Sequence, residues 1–317
     1  MTRARDLADA ADKDFSGTVT VDNITIGGNI SQDSGTVKLD GNYPTGSQNV
    51  AFGDTALDSL TTGGDNNVAI GHAALTTVIT GDQNIAIGTN ALRDNTASQN
   101  TAIGFHAMVA NSSGASNTAV GYGSLDANTT ASNNSAFGHL ALSANTTGTA
   151  NSSLGQFALG ANTTGGQNTA AGRYALGANT TGGSNTAFGN EALNTNQTGS
   201  SNTAVGAYAL DANNNASSNT AVGSAALGAN TTGASNTAVG AECLDTNTTG
   251  EQHAALGKNA LKANTTGSNS VAIGAGALRN NTTASNNTAV GTSALNVNTT
   301  GTLNVAVGAS ALDANTT

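Results

Sequence analysis

One cysteine, one proline and no tryptophan occur among 317 residues, aromatic residues make up 3% and charged residues only 9%. Each scarcity excludes something. A lone Cys243 cannot build a disulfide framework within one chain. It stands where alanine usually stands, so it reads as a small buried side chain rather than a reactive thiol. With so few large side chains the core must be thin, and neighbouring units, or neighbouring chains, have to supply the remaining burial. The formal net charge is −10 and there is no basic cluster beyond Arg3 and Arg5, which excludes a nucleic-acid backbone as partner. No apolar run approaches the length of a membrane span, so no membrane insertion is expected. Residues 1–9 lack an apolar h-region, so no secretory signal peptide is expected.

Glycine, alanine, asparagine and threonine fill the space, a composition that by itself often means disorder. A strict period argues otherwise. From Asn49 onward the chain is sixteen copies of one unit, N-T-A-V-G-x-x-A-L-x-A-N-T-T-G-x-x. The first copy has eighteen residues, the third sixteen and the last fourteen, while all others have seventeen. Self-similarity at a fixed period means one supersecondary unit stacked on itself.

The unit reads as columns. Position five is glycine in every copy, including Gly71, Gly240 and Gly274. Position three is alanine, as at Ala238, except at Ser153, and position four is always apolar, as at Val239. Position eight is alanine except at Ser124 and Cys243; position nine is leucine, as at Leu244, except at Met108. Position twelve is asparagine in the last fourteen copies, including Asn162 and Asn247. Charge gathers at positions six, seven, ten and sixteen, where nothing needs to be buried. These columns are the candidate structural residues.

The N-T-A-V-G segment reads as a five-residue strand. Positions two and four point to one face, three and five to the other. The first face is a β-branched ridge and the second a strip of alanine and glycine that lets backbones approach. Such a strand is expected to be covered on both faces. The A-L-x-A-N-T-T segment is the expected return, with glycine at five and fifteen turning the corners at positive φ. At ~3.3 Å per residue seventeen residues give a contour of about 56 Å, enough for a flattened coil with two strands. At ~4.8 Å per coil the stack is roughly 75 Å long. Stacked Asn side chains at position twelve are expected to hydrogen-bond from coil to coil. The same asparagines form Asn-Thr-Thr sequons, for example at Asn162, which matter only if the chain meets a glycosylation machinery.

The fold expectation is therefore all-β: a parallel β-solenoid or β-roll of about sixteen coils, over residues 47–317. Ahead of it, residues 1–46 read as a small module, a short helix followed by strands with two-residue alternation at Val19, Val21, Ile24 and Ile26.

Asn269-Ser270-Val271-Ala272-Ile273-Gly274 resembles the head repeat of trimeric autotransporter adhesins, whose signature is close to N-S-V-A-I-G. Residues 67–71 and 84–88 are similar to it as well. The resemblance covers residues 49–317 and implies a β-roll in which three chains pack about an axis. This chain departs from that family in its longer unit, and it is expected to differ also in having no secretory signal and no membrane anchor. Units of the form N-T-A-V-G…A-L…N-T-T-G also resemble tail-fibre proteins of phages, marine ones especially, and residues 1–6 and 15–26 are similar to the N-termini of such fibres. That resemblance implies a virion protein assembled in the host cytoplasm. It would be a homotrimeric shaft, attached through its N-terminus to a tail, baseplate or adaptor protein, with a tip or receptor-binding protein at the C-terminus.

No catalytic constellation emerges, and no cofactor or metal site is expected. Asp12, Asp14, Ser16 and Thr18 imitate the start of an EF-hand loop, but Asn23 stands where a bidentate glutamate is required. The Gly274-Ala275-Gly276 run lacks the third glycine of a dinucleotide fingerprint. His72 and His139 share column six four coils apart, roughly 19 Å, too far to share an ion within one chain. Only on a threefold axis would column six offer three histidines. Two other functions compete with the fibre shaft. A bacterial surface adhesin would present the coil surface to a ligand, and an ice-binding solenoid would use the threonines at two, thirteen and fourteen. A polysaccharide-cleaving fibre would need paired carboxylates on adjacent coils, and acids here are sparse.

Overall fold

The computed structural model describes residues 48–60 and 63–316. The expected 1–46 module, with its helix, strands, EF-hand-like run and boundary to the repeats, lies outside the described residues. The chain divides into two units, residues 1–39 and 40–317, and only the second is described further.

That second unit is an elongated parallel β-solenoid. Among the described residues sixteen three-residue strands, β1 (Val50–Phe52) to β16 (Val305–Val307), follow one another in a single sheet in chain order. Every pair is parallel and every column stacks on itself: Ala221 on Ala238, Val222 on Val239. The register survives the odd units. Val50 pairs with Val68 across the eighteen-residue copy and Ile85 with Thr101 across the sixteen-residue copy. The length differences fall in the corner after position twelve, where no strand pairing is at stake.

Two expectations about the coil need correction. The strand covers positions two to four only, and each described coil contains one strand rather than two. The reason lies in the backbone of the return. Positions seven and nine are left-handed although they are rarely glycine: Glu242 has φ 55° and Leu244 φ 53°. Left-handed residues placed either side of an ordinary one turn successive N–H groups in opposite directions along the stack. Glu242 N–H donates to Ser224 O of the coil before, at 2.9 Å, and Leu244 N–H to Ala260 O of the coil after, at 3.0 Å. The return is thus tied to both neighbours without being extended. A left-handed non-glycine residue costs about 1–2 kcal/mol, and the buried leucine side chain with its coil-to-coil bond offsets it.

Glycine also works differently from expectation at one of its two columns. At position five φ is positive, 134° at Gly240. At position fifteen it is not, among the described residues after the first coil; Gly165 and Gly250, for example, have ordinary φ. What glycine provides there is close approach, since without any shift a Cβ on Gly250 would lie 2.2 Å from Gly267 O and 2.4 Å from Asn247 Oδ1, although the column also admits Ala131, Ala216 and Ala284.

The core is a narrow strip. Position three (Ala238), eight (Ala226, Cys243) and nine (Leu227, Leu244) are wholly buried in coil after coil. The exceptions are satisfied locally. Ser153 Oγ donates to Ala158 O at 2.7 Å and Ser124 Oγ to Gly121 O at 3.0 Å. Burial pushes the Cys243 thiol up to about 12. Its alkylation at pH 8 is expected to be undetectable in the native rod and prompt after denaturation, with Cys243→Ala leaving stability within about 1 kcal/mol. Rapid native alkylation, followed by mass spectrometry, would contradict the buried placement.

Candidate interaction face and the interior amide ladders

Much of the interior is polar, most of it asparagine. The asparagines of column twelve form one continuous ladder from Asn95 to Asn315. Each Nδ2 donates to Oδ1 of the coil before, as in Asn162 to Asn145 at 2.8 Å and Asn247 to Asn230 at 2.9 Å. The same Nδ2 donates to its own corner carbonyl, Gly165 O or Gly250 O, at 2.9 Å. In the first two copies Leu60 and Val78 hold this place and are buried too. Buried amides are costly unless paired, and here each one hands its acceptor to the next coil. Full burial from Asn128 to Asn298 also means that these Asn-Thr-Thr sequons offer no accessible amide on the folded rod, while Asn315 in the last coil is only partly buried.

A second ladder was not anticipated. Position one is asparagine in every copy except at His253 and Ser270. Its Oδ1 accepts the backbone N–H of the next coil's position-one residue, as from Asn185 to Asn168 at 2.9 Å, and its Nδ2 reaches the same corner carbonyl that column twelve uses. Gly250 O accepts from both Asn236 and Asn247, each at 2.9 Å. A carbonyl has two lone pairs, so both bonds are sound. The signal was present as a near-invariant column, but it sat beside a strand and read as part of it.

The outward face of the sheet is a different matter. Column four, from Phe52 through Ile70, Phe137, Leu154 and Phe188 to Val307, points away from the core. It stands partly open to solvent along the whole stack, with Phe188 47% and Leu154 60% exposed. Column two, with Val50 and Ile85, lies on the same side. The expectation that both sheet faces are covered is therefore not met within one chain. Val239 lies in this open column, while Ala238, one residue earlier, is wholly buried. A contiguous apolar strip of this length, roughly 75 Å at ~4.8 Å per coil, is far more than a monomer normally leaves to water.

Two other surface features are local. Phe105, Tyr122 and His139 of column six continue into Phe157 and Tyr174 of column seven, with successive ring centroids 5.5, 5.2, 5.5 and 5.0 Å apart. Apart from the edge-on His139–Phe157 contact the rings lie nearly parallel, so their faces are turned to one another rather than outward. His139 sits inside this stack and His72 lies 3.8 Å from Asp54. Among the described residues no group of three potential metal ligands is gathered.

The second feature is acidic. Asp211 feels Glu191 from the coil before. Burial, and then that neighbouring charge, raise the Asp211 carboxyl above its usual range, and its Oδ1 is buried without a partner. Glu191 is itself drawn towards Arg173 at 3.7 Å.

The column-thirteen threonines bond along the stack. Thr163 Oγ1 donates to Thr180 O at 2.9 Å, and the same bond recurs at Thr231 and Thr265. Their hydroxyls are committed to holding coils together rather than to a surface array. No described helix is long and apolar enough to cross a membrane. No protein-family model matches this sequence, and no curated protein matches it.

Proposed function

We propose that the solenoid is the shaft of a phage tail fibre, with three copies packed about a common axis through column four. One observation carries this reading: the apolar outward face runs unbroken from Phe52 to Val307 on a sheet whose other face is fully packed. A symmetric assembly buries such a strip in every copy at once, and the repeat's resemblance to trimeric adhesin heads and phage fibres supports three as the number. Coil-to-coil backbone bonds, two amide ladders and in-register strands make each coil a stiff spacer. The role is mechanical, without a catalytic step: residues 1–46 attach to the tail or an adaptor, and the far end carries a tip or receptor-binding protein towards the host surface.

Light scattering on the purified chain is expected to give three times 30.7 kDa, persisting to strong heating. Val205→Asp combined with Val239→Asp places carboxylates in the open column and is expected to yield monomers that keep their β signal. A wild-type monomer would overturn the trimeric shaft. An intact trimer from the double variant would move the interface to another face.

A further inference from the structure

Column one is built from amides that give and accept in a fixed sense, and His253 is the only ring in it. His253 N–H donates to Asn236 Oδ1 at 3.0 Å, so the coil begins like the others. Its ring then imitates the missing amide. Nε2 lies 2.6 Å from Gly267 O, the corner carbonyl that an Asn Nδ2 would reach, and Nδ1 receives the N–H of Ser270 at 3.3 Å. Only the neutral Nε2–H tautomer satisfies both partners, since a carbonyl can only accept and a backbone N–H can only donate. Asn264 Nδ2, 3.2 Å from Nε2, already donates to Asn247 Oδ1 at 2.7 Å and Gly267 O at 3.0 Å and leaves this assignment unchanged.

The next rung is also irregular. Ser270 replaces asparagine, and its Oγ accepts from Asn287 N–H at 3.3 Å. Elsewhere the asparagine rungs of this column lie between 2.8 Å, as at Asn49–Asn67, and 3.0 Å, as at Asn202–Asn219. The backbone shows the same loosening. Position-two N–H to position-one carbonyl is 2.8 Å between coils on either side, at Thr237–His253 and Val271–Asn287, but 3.1 Å at Ala254–Ser270. Two of the three longest links of this column, His253–Ser270 and Ala254–Ser270, therefore fall at one joint, between β13 (Ala254–Leu256) and β14 (Val271–Ile273), and the third, Ser270–Asn287, falls at the next joint along.

We infer that this joint is an acid-sensitive break point, at which protonation of His253 uncouples the last three coils from the preceding rod. A proton on Nδ1 would face the Ser270 N–H, donor against donor, and would place a charge in an interior of amides and alanine. The groups around the ring are Asn236, Asn264, Gly267 O and Ser270, all uncharged. Burial lowers the His253 pKa, the two backbone bonds oppose that in part, and no carboxylate or cation contributes. Glu251, two residues away, is exposed. The sign follows. The opened joint takes up a proton near the ordinary imidazole pKa of 6.5 and the closed joint only below it. Closure is therefore complete above that pH and is lost progressively as pH falls towards the lowered value. In a linear stack held by nearest-neighbour interfaces the weakening stays local.

Native-state hydrogen exchange on the full chain at several pH values, corrected for intrinsic rates, tests this. Opening of the Ala254 and Ser270 amides is expected to rise by up to about tenfold per pH unit below 6.5, the slope of one proton, while Thr169 to Thr203 stay unchanged. His253→Asn restores the column residue and should abolish the difference. A proton-nitrogen spectrum should show the His253 ring as the neutral Nε2–H form at pH 7. Uniform pH response along the rod, equal response in His253→Asn, or an Nδ1–H ring would each overturn the inference.

Discussion

Gly240→Ala, representative of the position-five column, is expected to destabilise the rod by about 4 kcal/mol. A residue held at an unfavourable positive φ costs of order 1–3 kcal/mol, and φ here is 134°. The added methyl would lie 2.6 Å from both the carbonyl carbon and oxygen of Gly257, backbone atoms that cannot move without shifting the next coil. Overpacking of this kind adds about 1–3 kcal/mol. Gly233→Ala is the control. Its methyl would be nearer still, 2.2 Å from Gly250 O, yet φ there is ordinary. The same column already holds Ala131, Ala216 and Ala284, whose carbonyls keep their bonds from Asn128, Asn213 and Asn281 at 3.0, 3.0 and 2.9 Å. That corner evidently adjusts, and the control is expected to cost no more than about 1 kcal/mol. Denaturation midpoints with hydrogen exchange at coils twelve and thirteen would read both. Equal effects would show that close approach, rather than backbone conformation, is what excludes side chains at position five.

Asn247→Ala is expected to cost about 4 kcal/mol through unpaired amides rather than lost apolar contact. Gly250 O keeps its bond from Asn236 at 2.9 Å. Asn230 Oδ1 loses its only side-chain donor, and one N–H of Asn264, which had reached Asn247 Oδ1 at 2.7 Å, is left facing a void. Each buried unpaired polar group costs about 1–3 kcal/mol. Thr249→Ala, two residues on and exposed, should be nearly silent. Loss of protection should centre on coils eleven to thirteen. A small, evenly spread effect would mean that water enters and replaces the rung.

Beyond the two ladders, the solenoid uses its few large side chains in two ways. The position-nine side chain, leucine or Met108, packs inward from Leu57 to Leu295, and the apolar residue at position four is turned outward. A chain with 3% aromatics and a thin core nevertheless leaves Phe52, Phe137 and Phe188 partly exposed on one strip. That placement is the reason to look for the remaining burial between copies rather than within one.

Much of this was legible in the sequence, because a period of seventeen with a glycine, an alanine and a leucine column leaves little choice but stacked parallel coils. Columns report which residue types a position tolerates, so the buried Ala238, the buried Leu244 and the amide ladder through Asn162 and Asn247 could be reasoned from composition alone. Columns do not report backbone sign or direction. Leu244 and Glu242 look like ordinary right-handed or extended residues until the coil places their N–H groups on opposite neighbours. The column-one asparagines look like strand residues until the corner carbonyl is seen between both ladders. The paired roles of His253 and Ser270 likewise depend on which atoms the stack brings within reach. Position in the repeat came from the chain; the left-handed turns, the shared carbonyls and the uncovered face came from closing that chain into a coil, because only closure decides which polar groups must find partners inside and which side chains are left facing out.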